Sequence, residues 1–277
     1  MQKIDGNEIS NLMLEALKPD IEKIKPSIAA LYVGSDPSTL SYIKSKIKKG
    51  EKFGIKVNLV NMDINVSEDD FLSKLDELSS DKAIDGIIVE KPLPAHLDIK
   101  KAAARIDPKK DIDCLSFQNN GRLITDDFII APSTAMAVIN ILRHASINYE
   151  GKHAAIIGRS EIVGKPLSML LLSKHTGNAT VTVLHSKSSN IKEETKRADI
   201  VIAAIGRADF VDKSYIGSNS PVLIDVGINY AGGILTGDID KECYALSSAY
   251  TPVPGGVGPV TAATLFENLI KLKKHYA

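Results

Sequence analysis

Tyr42 and Lys46 stand four residues apart, downstream of an Asp36-Pro37 pair. Asp as N-cap followed by Pro at the first helical position predicts a helix start, and a spacing of four then sets an aromatic plane and an amine on one helical face. Such a pair could hold a flat ring and move a proton beside it. The same pattern also describes a basic surface helix with one semi-buried tyrosine, with Lys44, Lys48 and Lys49 pointing elsewhere. Val89-Glu90-Lys91-Pro92-Leu93-Pro94 follows an apolar run, so its polar residues fall at the carboxyl end of a parallel strand, where α/β proteins bind ligands. Asp111-Ile112-Asp113 offers a carboxylate able to accept hydrogen bonds from the N–H and amino groups of a heterocycle.

Further along, Gly151-Lys152-His153-Ala154-Ala155-Ile156-Ile157-Gly158-Arg159-Ser160 runs an apolar strand into a glycine turn, and Gly164-Lys165-Pro166 opens a helix. A helix N-terminus presents unpaired N–H groups and a positive dipole end to a pyrophosphate, and glycine lets the backbone come close. The spacing is Gly-x-Ser-x-x-x-Gly rather than the usual dinucleotide fingerprint, so alone it fits either a dinucleotide site or an ordinary strand-to-helix turn. The end of the next strand sharpens this. An unphosphorylated ribose is normally met there by an acidic residue, whereas this chain has His185-Ser186-Lys187. Together with Arg159 these supply cations and hydroxyls, which suits a 2′-phosphate and favours NADP over NAD. A solvated polar loop is the alternative. Thr251-Pro252-Val253-Pro254-Gly255-Gly256-Val257-Gly258-Pro259 holds three glycines and three prolines in nine residues, a rigid backbone against which a flat ligand could lie.

These residues need elements to hold them. Short apolar runs alternate with helical stretches, the pattern of an α/β protein with mostly parallel strands. Strands are expected at Ile28–Val33, Ile55–Val60, Ile84–Val89, Ala154–Ile157, Thr180–Leu184, Ile200–Ala204 and Val222–Asp225. Helices are expected at Ser38–Phe53, Glu68–Ser79, Ala135–His144, Pro166–Lys174, Ile191–Arg197 and Thr261–Lys274. Ile106–Pro132 has weak periodicity and reads as a long connection between two α/β units. The chain has 277 residues, 44% hydrophobic, with 34 basic and 34 acidic side chains. That length leans towards two domains, and zero net charge gives no global field for nucleic acid or an acidic membrane. No segment approaches the roughly 18 apolar residues of a membrane span. The two cysteines, Cys114 and Cys243, are in no metal-ligand spacing, so no metal is expected, and they suit a cytoplasmic protein.

Five segments in collinear order are similar to the bifunctional methylenetetrahydrofolate dehydrogenase/methenyltetrahydrofolate cyclohydrolase family: Tyr42-Ile43-Lys44-Ser45-Lys46, Gly158-Arg159-Ser160 through Val163-Gly164, His185-Ser186-Lys187, Asp225-Val226-Gly227-Ile228-Asn229, and Pro252 through Pro259. The resemblance implies a folate/catalytic α/β domain from residues 1–131 plus 251–277, a Rossmann-type NADP domain from 132–250, a cleft between them, and a homodimer. It implies that Tyr42 stacks on folate, Lys46 is the central catalytic amine and Asp113 grips the pterin. Glu90 would act beside Lys46, with Val89 and the loop of Pro254, Gly255, Gly256 and Val257 bordering the substrate; Lys91, not a family residue, either binds the substrate's carboxylate tail or points to solvent. Gly158, Arg159, Ser160, Gly164 and Ser186 would hold NADP, with Ile228 at its nicotinamide end. The implied chemistry is oxidation of 5,10-methylenetetrahydrofolate by NADP⁺, then hydrolysis of the methenyl product to 10-formyltetrahydrofolate.

Where the family usually reads Val-Gln-Leu-Pro-Leu-Pro, Glu90 replaces a glutamine and Lys91 a leucine. A carboxylate beside Lys46 favours its charged form, the wrong direction for a general base. Either cyclohydrolysis is weakened or the two groups share a proton as a coupled pair. Asp113-Cys114 replaces Asp-Gly, which carries strain if that position needs a positive φ, and Ser133 and Ala135 replace Cys and Pro. Two rivals stay open at this level: an NADP-dependent oxidoreductase of another small substrate, which leaves Tyr42, Lys46 and the Gly/Pro loop without purpose, and a non-catalytic nucleotide-binding sensor.

Overall fold

The computed structural model describes all residues except Gly232 and Gly233, and all side chains but theirs and those of Ser38, Tyr42 and Ala231. In chain order the elements are β1 (Gln2–Lys3), α1 (Gly6–Ile24), β2 (Ser27–Val33), α2 (Pro37–Lys52), β3 (Lys56–Met62), α3 (Glu68–Ser80), β4 (Gly86–Val89), α4 (Ile99–Arg105), α5 (Phe117–Ile124), α6 (Ser133–His144), β5 (His153–Ile157), α7 (Gly164–Leu172), β6 (Thr180–Leu184), α8 (Ile191–Arg197), β7 (Ile200–Ala203), β8 (Val222–Asp225), β9 (Asn229–Ala231), β10 (Ile234–Thr236), β11 (Ala249–Tyr250) and α9 (Val257–His275). They form two compact units, Met13–Ser133 with Leu265–Ala277, and Met1–Leu12 with Thr134–Thr264.

In the first of these, β2 lies between β3 and β4 in a parallel sheet, with Ile28 opposite Val57 and Gly86. A strand buried on both faces reads as an unbroken apolar run, which is why Ile28–Val33 is legible. Ala29, Leu31 and Val33 of β2 pack with Phe71 and Leu75 of α3 and Ile87 and Val89 of β4. Phe71 and Leu75 are wholly buried, each contributing about 1.5–3 kcal/mol by its removal from water. α2 starts as expected: Asp36 accepts from the Thr39 N–H at 2.7 Å and Pro37 follows it. It ends before Gly54, whose φ of +87° suits a residue without a Cβ.

The other unit carries a six-stranded parallel sheet ordered β1-β11-β8-β7-β5-β6. From β5 the chain moves to β6 on one side and then to β7 on the other, so the strand order reverses at β5. Ligands bind outside the carboxyl ends of strands at such a reversal. Ala155, Ile157, Val201, Ala203 and Leu223 form its core with Leu184 and Tyr215, and β9 and β10 make a small antiparallel hairpin.

The division of the chain differs from the expected one at both ends. Residues 1–12 and 251–264 group with 134–250, because β1 pairs with β11, Gly6 N–H donates to Gly255 O at 2.8 Å and the Ser10 hydroxyl to Pro259 O at 2.8 Å. A two-residue strand has no periodicity by which to announce that pairing. Nor is 106–132 structureless, since α5 lies within it. Its Asn and Gly residues are weak helix formers, but Ser116 caps it by accepting from Asn119 N–H at 3.2 Å, and the Asn119 amide anchors it to Pro108 O and Asp111. α1 escapes notice because Pro19, which lacks an N–H, sits inside it.

Candidate active site

α2 carries Lys46 to the carboxyl edge of the three-stranded sheet, where Glu90 leaves β4 with its N–H donating to Leu31 O. The Lys46 ammonium donates to both Glu90 carboxylate oxygens, at 2.7 and 2.9 Å, and the two side chains are only 11% and 7% exposed. Tyr42 lies one turn before Lys46 on α2, and its side chain is outside the described residues. Val89 is buried beside Glu90 and Lys91 is half-buried. Next to them a cavity of about 500 Å³ opens among Gly34, Asp36, Thr39, Ile64, Pro92 and Leu93. It lies along the sheet edge from the ion pair, and neither Lys46, Glu90 nor Asp113 lines it.

The segment bearing Asp113 runs beside β4, with Ile87 N–H donating to Lys110 O and a parallel bridge between Ile87 and Asp111. The two acids there differ. Asp111 is fully buried and accepts from Leu115 N–H and Ser116 N–H, both at 2.7 Å, and from the Asn119 amide; burial nonetheless raises its pKa. Its work is structural. Asp113 is half-buried with one long bond from Ser133 N–H at 3.4 Å, so its carboxylate retains accepting capacity. Cys114 has a φ of +57°, which confirms that the position needs a left-handed backbone. Burial pushes its thiol well above the usual range, so it is inert. Among the described residues the buried Ser133 hydroxyl has no hydrogen-bond partner.

In the second unit, the glycines of the Gly158 turn are dictated by contact. A Cβ on Gly158, whose φ is +131°, would lie 2.2 Å from Ala204 O, and one on Gly164 would lie 2.1 Å from Gly158 O. The turn is therefore pressed between the end of β7 and the start of α7, where Lys165 N–H donates to Ser160 O at 3.0 Å. Ser160 braces it, its hydroxyl accepting from Val163 N–H at 3.2 Å. Arg159 and Ser160 are exposed, as are Ser186 and Lys187 in the turn after β6, where His185 N–H donates to the Ser188 hydroxyl. A backbone cradle that any Cβ would fill, a helix N-terminus, and hydroxyls and cations in place of an acid after β6 fit a 2′-phosphorylated dinucleotide.

The same unit brings together two motifs far apart in sequence. Ile228 is half-exposed after β8, and its Cδ1 is 4.0 Å from where a Gly258 Cβ would stand. The Gly255–Gly258 loop is itself clamped on the start of α1, since a Gly6 Cβ would meet Gly256 O at 1.7 Å. Pro254 is exposed, whereas Gly256 and Val257 are buried. Sequence reading passed over Asp238, which is buried and accepts from Ile205, Gly206 and Arg207 N–H and the Asn229 amide. The signal that could have found it is the Gly237-Asp238 step, echoing Asp225 and Gly227.

The chain matches the sequence profile described as "Tetrahydrofolate dehydrogenase/cyclohydrolase, catalytic domain" over residues 4–113 and that of its "NAD(P)-binding domain" over 132–277. This chain belongs to the tetrahydrofolate dehydrogenase/cyclohydrolase family. It is 41% identical over 278 residues to the bifunctional protein FolD of Oceanobacillus iheyensis, covering 98% of this chain and 96% of that one. The structure resembles the bifunctional FolD of Campylobacter jejuni, with a TM-score of 0.94, 34% identity and full coverage of both chains. It also resembles Trypanosoma brucei FolD complexed with NADP and inhibitor, with a TM-score of 0.91, 29% identity and coverage of 99% and 97%. As a family member it is a methylenetetrahydrofolate dehydrogenase and methenyltetrahydrofolate cyclohydrolase, an NADP enzyme of one-carbon metabolism. The oxidoreductase of another substrate and the non-catalytic sensor are thereby set aside.

Proposed function

We propose that this enzyme runs its two reactions unequally, with dehydrogenation of 5,10-methylenetetrahydrofolate dominant and cyclohydrolysis throttled by Glu90. The observation that carries this is the buried, two-point ion pair between Lys46 and Glu90. Oxidation needs the one-carbon bridge held in position more than it needs a proton carrier; bound NADP supplies the hydride acceptor. Tyr42, Asp113 and the Gly255–Gly258 backbone hold the folate in this reading, with Asp113 accepting from the pterin. The Gly158 turn, Arg159, Ser160, Gly164 and Ser186 hold the pyrophosphate and 2′-phosphate, and Ile228 meets the nicotinamide end. Hydrolysis differs: water adds to the cationic methenyl carbon, one of the water protons is released to solvent, and the other must pass to the ring nitrogen as its bond to that carbon breaks, which needs a group titrating near neutrality. A carboxylate at 2.7 Å favours ammonium, so Lys46 is a poor base here. Assays of both reactions from pH 6 to 10 on wild type and Glu90→Gln test this. Wild-type cyclohydrolase matching its dehydrogenase at neutral pH would sink it.

The remaining assignments belong to the same reading. The first sheet with α2 is the folate side and the six-stranded sheet the NADP side. The chain acts as a cytoplasmic homodimer: its cysteines are buried and unpaired, and Tyr230 and Ile234 on the β9–β10 hairpin are 73% and 67% exposed. Sedimentation of wild type beside Tyr230→Ser/Ile234→Ser checks the dimer, and an unchanged mass would exclude this hairpin from the interface.

A further inference from the structure

Asp238 lies beyond the β9–β10 hairpin, away from every motif that marks the cofactor site, yet its carboxylate is wholly buried and all its acceptor positions are used. Oδ2 accepts from Ile205 N–H at 2.6 Å and Gly206 N–H at 2.9 Å, and Oδ1 from Arg207 N–H at 2.8 Å and the Asn229 amide at 2.9 Å. The first three donors form the exit of β7 and the fourth belongs to the exit of β8, one residue after Ile228. Asp225 locks the arrangement from the other side, accepting from Gly227 N–H at 3.1 Å and from Asp238 and Ile239 N–H at 2.9 Å. Packing leaves no room for adjustment. A Cβ on Gly227 would stand 2.1 Å from the Asp238 carboxylate, and one on Gly237 1.9 Å from that of Asp225. The β7 exit also abuts the Gly158 turn through Ala204 O, so one carboxylate fixes two loops at the ligand edge of the sheet and steadies a third.

We propose that Asp238 is the positioning residue for the nicotinamide half of the cofactor: it sets the spacing of the Ile205–Arg207 and Gly227–Asn229 loops without touching the cofactor itself. The inference rests on the NADP reading of this site. A structural acid of no functional consequence would support the whole unit equally. A positioning acid acts on one end of the dinucleotide, because the 2′-phosphate end is held by Arg159, Ser160 and Ser186 on other loops. Asp238→Asn keeps the shape but turns an NH2 group towards two donors, removing two hydrogen bonds whichever way the amide faces.

The experiment measures, without turnover, NADPH and 2′,5′-ADP binding together with amide hydrogen exchange of the ligand-free protein. For Asp238→Asn we expect exchange to rise about tenfold or more either at Ile205 and Gly206 or at Arg207, according to which oxygen the NH2 group replaces, as loss of one to two net hydrogen bonds implies. NADPH affinity should fall at least about fivefold while 2′,5′-ADP affinity stays within about twofold. Asn229→Ala guards against a variant that does not fold: it leaves the three backbone bonds in place, and should weaken NADPH by about threefold with 2′,5′-ADP unaffected. Equal loss of both ligands, or unchanged NADPH binding in both variants, overturns the proposal. Wild type that prefers NADH to NADPH would instead contradict the cofactor reading.

Discussion

Glu90 and Asp238 are both buried acids at the carboxyl ends of parallel sheets, one in each unit, and they are satisfied in opposite ways. Glu90 is met, among the described residues, by the Lys46 ammonium, whereas Asp238 is met by three backbone N–H groups and one side-chain amide. Backbone donors cannot titrate, so the second arrangement shapes loops and does nothing else. An ammonium can lose its proton, so the first arrangement bears directly on chemistry. Asp111 shows that the contrast is one of partner rather than of unit. It sits in the same unit as Glu90, is clamped by Leu115 and Ser116 N–H, and shapes the turn that presents Asp113.

The largest effect expected is on Lys46. Lys46→Ala should lower methenyl ring opening, followed by absorbance without NADP, by at least about tenfold, less than the roughly 10²–10⁴-fold of an unimpeded proton-transfer group because Glu90 already favours the ammonium. A loss below tenfold would mean that Lys46 is no more than scaffold, like the acids it is contrasted with. Next comes Asp225, which burial pushes from 3.8 to about 7 despite its backbone donors. Between those values the folded state holds a proton that the unfolded state has released, so stability is full below pH 4 and declines as pH rises towards 7. The slope is at most about 1.4 kcal/mol per pH unit and the sum up to roughly 4 kcal/mol. Thermal midpoints of Asp225→Asn relative to wild type should therefore move in the variant's favour from pH 4 to 7 and level off above; a constant difference would show that Asp225 is ionised throughout. The smallest effect belongs to the turn Asp111 clamps. Cys114→Gly removes left-handed strain of about 1–2 kcal/mol but also a buried side chain worth about 1 kcal/mol and adds unfolded-chain entropy, so the denaturation midpoint should stay nearly unchanged; a large fall would show that packing outweighs strain there.

What the sequence disclosed follows the same division. Lys46 and Glu90 were legible because helix spacing and strand exit are local, and the Gly158 turn because glycine leaves a mark where backbones touch. The role of Asp238 was not legible, since three of its four partners lie some thirty residues upstream and carry no side-chain signal, being N–H groups that every residue possesses. The same reason hid the membership of residues 1–12: β1 joins the larger sheet through backbone pairing alone. Cys114 fell between these cases, with its φ predicted conditionally from residue type and fixed by the structure at +57°.

The effect of the Lys46–Glu90 contact on catalysis is tested most directly by the ratio of cyclohydrolase to dehydrogenase rate at pH 7 in wild type and Glu90→Gln. A neutral amide leaves Lys46 a hydrogen-bond acceptor without a counter-charge, so the ratio should rise, with the cyclohydrolase profile reaching its plateau at lower pH. An unchanged ratio with an unshifted profile would contradict the claim that Glu90 holds the proton on Lys46.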